Sequence, residues 1–425
     1  MLRRVTIWLT AGLLLASCGA EPPRASPPDQ PSSPVFPSAQ PSSPATVTPT
    51  ASAPERGGGG RADDFDGDGR ADLVVEGRTR DDLPFRTVVH GSPRGLDPDR
   101  QTDATSETSC FILFDQTNWA ADFDGDGHGD LLGAVRLSED RNRPCVLWGP
   151  DRQAPVQVTA EKNVDAHHAV AGDFDGDGFA DVAMPATPEG GFFTSELVVL
   201  YGPFGRDGKP ARRTVQPSPS GEEFWRLTAD RIDGRRATGL LVHEPDDGEQ
   251  TAAWLLRPGP GGLERTGRKL NDGLSAAFGD FDGDGARDVA VGDDGSRNDE
   301  PGYETEPPAV HHKLTVHYGD GRTATFGGTA GPIAAGDFDG DGRDDLAFGG
   351  GHEYGERGRV LVFRGAPGGL RPGSALDGVG PARPRTAGDY DGDGDDELIL
   401  SHGTGPVEIV VTDGRRVLSR FTVPA

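Results

Sequence analysis

Lysine is almost missing from this 425-residue chain: four Lys stand beside thirty-eight Arg, and 69 Asp and Glu outweigh both for a formal charge of −27. Nucleic acids and anionic membrane surfaces are recognised by clustered cationic side chains, so this balance excludes both as binding targets. Aromatic residues are scarce at 7% and the apolar fraction is 34%, whereas Gly and Pro number 64 and 36. Such a composition suits many short strands joined by turns. Helical periodicity is absent throughout. The main long apolar run, from Val5 to Leu15, is too short to cross a bilayer as a helix.

That run follows Arg3 and Arg4 and ends in Leu15-Ala16-Ser17-Cys18. A basic segment, a short apolar segment and small residues before a cut site describe an export signal. The ending resembles a bacterial lipobox. The resemblance implies that residues 1–17 are removed and that Cys18 carries the lipid, anchoring the chain on the outer face of a bacterial cell membrane. With Cys18 consumed, Cys110 and Cys145 are the remaining cysteines, and an exported protein is expected to pair them. Residues 18–60 read as a disordered linker rich in Pro and Ser (Pro31-Ser32-Ser33-Pro34, Pro41-Ser42-Ser43-Pro44) that ends in Gly57 to Gly60. About 40 residues at roughly 3 Å each would reach ~120 Å from the anchor.

From residue 61 onward one pattern recurs. Asp64-Phe65-Asp66-Gly67-Asp68-Gly69-Arg70-Ala71-Asp72 has further copies starting at Asp122, Asp173, Asp280, Asp337 and Asp389, with a degenerate copy at Asp230. The intervals are 58, 51, 57, 50, 57 and 52 residues, the spacing of a propeller or array. Small residues precede each motif, as in His168-Ala169-Val170-Ala171-Gly172, and suit an innermost strand; apolar runs such as Val289-Ala290-Val291 follow it. A third strand (Val360-Leu361-Val362-Phe363) and a weaker edge strand (Val156-Gln157-Val158-Thr159) complete a unit. The expectation is an all-β, seven-bladed propeller of four-stranded antiparallel blades over residues 61–425. A linear β-solenoid is the alternative, but its coils are shorter. Glycines precede Asp64, so the inner strand of the first blade is poorly specified, and nothing in the last unit suggests a shared strand locking the ring.

The motif is Asp-x-Asp-x-Asp-Gly-x-x-Asp. Carboxylates at positions 1, 3 and 5 converge when the loop curls, Gly at position 6 permits the turn, position 7 offers a carbonyl, and the acid at position 9 can bind through both oxygens. That is an oxygen-only donor set suited to Ca²⁺; zinc and copper prefer His and Cys. The predicted ligands are Asp64, Asp66, Asp68, Arg70 and Asp72; Asp122, Asp124, Asp126, His128 and Asp130; and Asp173, Asp175, Asp177, Phe179 and Asp181. The remaining copies give Asp280, Asp282, Asp284, Ala286 and Asp288; Asp337, Asp339, Asp341, Arg343 and Asp345; and Asp389, Asp391, Asp393, Asp395 and Glu397. An EF-hand is excluded because position 12 is Val75 in the first copy and Gly133 in the second, and β-runs rather than helices follow. In the fourth copy Ile232 stands at position 3 and Gly234 comes one residue early, so an intact blade without a metal is expected there. About six calcium ions would change the formal charge from −27 to −15.

These residues resemble the FG-GAP/VCBS repeat family, the blade type of the integrin α-chain head. Ala171-Gly172-Asp173-Phe174-Asp175-Gly176-Asp177-Gly178 and turns such as Gly365-Ala366-Pro367-Gly368-Gly369-Leu370 carry the resemblance. It implies the propeller and calcium over residues 61–425 and leaves function open. The expected role is a monomeric, non-catalytic, surface-tethered binding, adhesion or scaffold module for a protein or polysaccharide ligand. A polysaccharide-active lyase or hydrolase and a lectin-like glycan binder are the alternatives. No catalytic residue is assigned: His167-His168 and His311-His312 read as loop histidines. An exposed Trp would favour the glycan binder, but Trp119, Trp148, Trp225 and Trp254 fall near predicted strands, where core packing is expected.

Overall fold

The computed structural model describes residues 63–423, apart from 80–83, 105–109, 112–119, 139–140, 150–154, 161–162, 247, 299–308, 353–357 and 403–406. The readings of the export signal, Cys18, the linker and Trp119 therefore concern residues outside those described.

Short strands bounded by Gly and Asp form seven antiparallel sheets in chain order. In blade 5, Ser275–Gly279, Asp288–Gly292, Lys313–His317 and Thr323–Gly327 pair successively. Asp288–Gly292 is buried along its whole length, because a second strand has blades on both faces. Thr323–Gly327 alternates exposed with partly buried residues, as an outer strand with one covered face must. The fold is a seven-bladed β-propeller of four-stranded antiparallel blades. Among the described residues blade 1 shows three strands, Leu73–Arg78, Pro84–Val89 and Gln101–Asp103. Blades 2 and 3 each gain a two-residue strand, Cys110–Phe111 and Asn163–Val164.

The disulfide expected from cysteine usage is present between Cys110 and Cys145, with Cα atoms 6.3 Å apart. Cys110 lies opposite Val135 and Cys145 opposite Gly133, so the bond crosses the second strand of blade 2.

One set of contacts repeats between neighbouring blades. The N–H at motif position 8 donates to the position-1 carbonyl of the preceding blade: Gly129 to Asp64 (2.8 Å), Asp344 to Asp280 (3.0 Å) and Asp396 to Asp337 (2.8 Å). The position-7 side chain lies over the position-4 glycine of that blade. A Cβ on Gly67 (φ +76°) would stand 2.7 Å from His128 Cε1, so backbone conformation and packing both require glycine. The seam between blades 7 and 1 uses the same contacts. Ala71 N–H donates to Asp389 O at 3.0 Å, Ser92 N–H to Tyr390 O at 3.1 Å, and Arg70 lies against Gly392. A shared apolar layer of Leu73, Val75 and Val89 with Ile399, Val407 and Val411 completes it. Among the described residues the ring closes side by side, without strand exchange.

Candidate metal centres

In each motif loop the acid at position 1 holds the curl. Asp64 Oδ1 accepts N–H bonds from Gly67 (2.8 Å) and Asp68 (3.1 Å), and its Oδ2 accepts one from Gly69 (2.8 Å). The acid at position 5 accepts from the N–H at position 7, as Asp68 does from Arg70 and Asp177 from Phe179 (2.9 Å). The acid at position 9 joins the loop to its blade. Asp130 Oδ2 accepts from Phe123 N–H at 3.0 Å and Oδ1 from Gly149 N–H at 2.8 Å. Asp72, Asp181 and Asp288 repeat this pairing, and Glu397 makes the first half of it with Tyr390 N–H at 3.0 Å. The position-2 rings (Phe65, Phe123, Phe174, Phe281, Phe338, Tyr390) are buried beneath.

This places three carboxylates together. Oxygens of Asp64, Asp66 and Asp68 lie within 4.8 Å of one another, as do those of Asp122, Asp124 and Asp130, and of Asp173, Asp175 and Asp181. Like charges so close repel unless a cation stands among them. Three oxygens in the loops, Asp66 Oδ1, Asp175 Oδ1 and Asp280 Oδ1, are buried without a hydrogen-bond partner. A carboxylate oxygen in that state has given up water with nothing in return, which an oxygen-seeking cation would remedy. Sequence reasoning missed the arginines. Position 3 meets a guanidinium from a nearby turn or strand: Arg100 on Asp66 (2.7 Å), Arg212 on Asp175 (2.6 Å), Arg322 on Asp282 (2.5 Å), Arg415 on Asp339 (2.7 Å), and Arg206 on Asp124. Only the surplus of Arg over Lys hinted at them. Loop 1 also carries His90, whose Nδ1 is 3.0 Å from Asp72 Oδ2 and 3.4 Å from Asp66 Oδ2.

Residues 122–184 match the model of an FG-GAP-like repeat, and residues 333–363 that of an FG-GAP repeat. The chain carries FG-GAP repeats. Nothing among the curated proteins matches. Among solved structures, the rhamnogalacturonan lyase YesW aligns at 15% identity over 81% of this chain and 70% of its own, with a TM-score of 0.39.

Six of the FG-GAP loops keep their acids; the fourth has found another solution. Arg287 of blade 5 reaches Asp230 through Nε (2.8 Å) and Nη2 (2.5 Å), and Asp344 of blade 6 through Nη1 (2.6 Å). A guanidinium thus neutralises the one position-1 acid whose companions are lost. Arg231 extends across the axis to both oxygens of Asp396 in blade 7, at 2.8 and 3.2 Å. Thr238 N–H takes the inter-blade bond, to Asp173 O at 2.7 Å, so the blade is kept as expected.

Burial pushes several loop acids up: Asp130 to about 8, Glu397 to about 8, Asp288 to about 7, and Asp173 and Asp345 to about 6, with neighbouring carboxylates adding to the rise. Unfolded, these groups titrate near 4. The folded, cation-free chain therefore holds more protons than the unfolded one between pH 4 and 8, and its stability falls as pH rises through that window. In buffer without divalent ions the melting temperature is expected to drop from pH 4.5 to pH 8. A flat or rising series would show that these acids titrate normally.

The histidine pairs have structural partners. His168 Nδ1 is 2.9 Å from Asp165 Oδ2, and the His311 and His312 rings stack at 4.0 Å. His312 N–H donates to Asp293, which also holds Arg297. Trp148 is buried, as core packing requires. Trp254 and Trp225 depart from that expectation: both are half-buried, Trp254 donating from Nε1 to Glu244 at 2.9 Å and Trp225 lining the axial cavity.

Proposed function

We propose that this chain is a calcium-stiffened, non-catalytic propeller, held on the outer face of a cell membrane by a lipid on Cys18 and acting as a binding, adhesion or scaffold module. The observation that carries it is the set of orphaned loop oxygens, Asp66 Oδ1, Asp175 Oδ1 and Asp280 Oδ1, amid converging acids. Bound calcium would supply the positive charge that lets the carboxylates stay ionised together. Positions 1, 3, 5 and 9 of the six complete loops would hold it, with the position-7 carbonyl. In Asp130, Asp181 and Asp288 each carboxylate oxygen has one lone pair spent on a backbone amide and a second left for a metal. The acids in these loops are then committed to holding blades together, which argues for a scaffold rather than for catalysis. The lipid and the tether rest on the lipobox-like ending alone.

The full-length protein tests both halves. Equilibrium dialysis should find about six calcium ions per chain, and labelled palmitate should be incorporated in a Cys18-dependent way. No bound calcium overturns the metal assignment, a seventh ion overturns the reading of loop 4, and palmitate retained in Cys18→Ala overturns the anchor.

A further inference from the structure

Along the axis the inner strands of blades 3 to 7 line a cavity, which continues toward the acid loops as a narrower space lined by Arg231 and Ile232. There the Arg231–Asp396 pair crosses the axis. The wide end lies among residues that precede the inner strands or follow the second strands, on the face away from the FG-GAP loops. Trp225, Arg226, Asp294, His352, Arg383 and Arg385 line it.

The neighbourhood of Trp225 is unusual in two respects. Phe192 is 92% exposed and Phe193 64%, the two most exposed large apolar side chains among the described residues. Their turn is fixed beside Trp225: Thr194 Oγ1 donates to Phe224 O at 2.7 Å, and Phe224 N–H donates to Thr194 O at 2.9 Å. Water-exposed aromatics held in place mark an interaction site. The polar lining also mixes signs. Arg226 is 3.7 Å from Asp294, and Arg385 projects from the inner strand of blade 7 with no ion pair among the described residues. A simple anion would meet Asp294, and a simple cation would meet three guanidinium groups. A sugar hydroxyl both donates and accepts, so it satisfies carboxylate and guanidinium together. The apolar face of a pyranose ring matches an indole or phenyl plane.

We infer that the mouth of the axial cavity binds a glycan, with one sugar ring against Trp225 and its neighbours over Phe193 and Phe192. This rests on the binding-module reading and gives it a ligand class. The test titrates the calcium-loaded, full-length protein with cellohexaose, chitohexaose, xylohexaose and a hexagalacturonate, followed by tryptophan fluorescence and calorimetry. At least one should bind and change the fluorescence. Trp225→Ala should weaken that binding by about tenfold or more. Phe192→Ser/Phe193→Ser, on the surface and harmless to folding, should weaken it less. Unaltered melting temperatures separate lost binding from lost fold. No binding by any of the four, or equal binding by wild type and both variants, overturns the glycan site. Protease-sensitive capture of an envelope protein through Phe192 and Phe193 would overturn it too, while leaving the binding-module reading standing.

Discussion

Stripping calcium from the protein is expected to lower its melting temperature by roughly 3–11 °C. Extracellular calcium modules bind at about 10⁻⁴–10⁻³ M. At ~1 mM calcium each occupied site then adds roughly 0.4–1.4 kcal/mol, and six sites about 2.5–8 kcal/mol. A ring of about 360 residues melts with an entropy near 0.75 kcal/mol/K, so each kcal/mol is worth about 1.3 °C. Aspartates at position 3 report on it one loop at a time. Asp175→Ala should cost stability in calcium and become nearly neutral without it, because the substitution then also removes a repelling charge. Differential scanning calorimetry with and without excess EDTA decides the matter, and superimposable curves would refute structural calcium.

Arg287→Leu is expected to destabilise the ring by about 3–5 kcal/mol, or about 4–7 °C, whether or not calcium is present. Asp230 has only 4% of its side chain exposed, and loss of Arg287 would take from that buried carboxylate the guanidinium that bonds both of its oxygens. Asp344 would lose the same partner. Asp230→Asn in the Arg287→Leu background should restore part of the loss, since removing one partner of a buried pair costs most through the charge left behind. Calcium independence is the diagnostic feature: a penalty that vanishes in EDTA would mean that loop 4 binds metal after all. A melting temperature within a degree of wild type would show that the guanidinium contributes nothing.

The blade count and the loops were legible because a repeat states its rule several times over. Position 6 glycine and the acids at positions 1, 3, 5 and 9 each recur, and each has a local reason. Position 4 glycine recurs as faithfully, yet its reason lies in the next blade, where His128 or Phe179 crosses it. Contacts between blades span roughly 50 residues and leave no periodicity within a window. The position-3 arginines are harder still: Arg100, Arg206 and Arg415 come from different places in their units. Arg231 and Arg287 occur once each, so no repeat announces them. Trp225 lies two residues before an inner strand, and proximity to a strand does not say whether a ring faces the core or the axis. His90 gives no local signal, because its acidic partners lie 18 and 24 positions away.

Closure of the ring without a strand shared among the described residues gives the molecule a mechanical polarity. Any pull on the residues before Asp63 enters at blade 1, and that load must pass through the seam with blade 7. Among the described residues the backbone bonds across this seam are those from Ala71 and Ser92, beside one apolar layer, with no strand zipped into a neighbouring sheet. Loop 7 sits on that seam, where Arg70 donates from Nε to Asp391 O at 3.2 Å. Under tension the ring would open there first, like a clasp, while blades 2 to 6 remained closed.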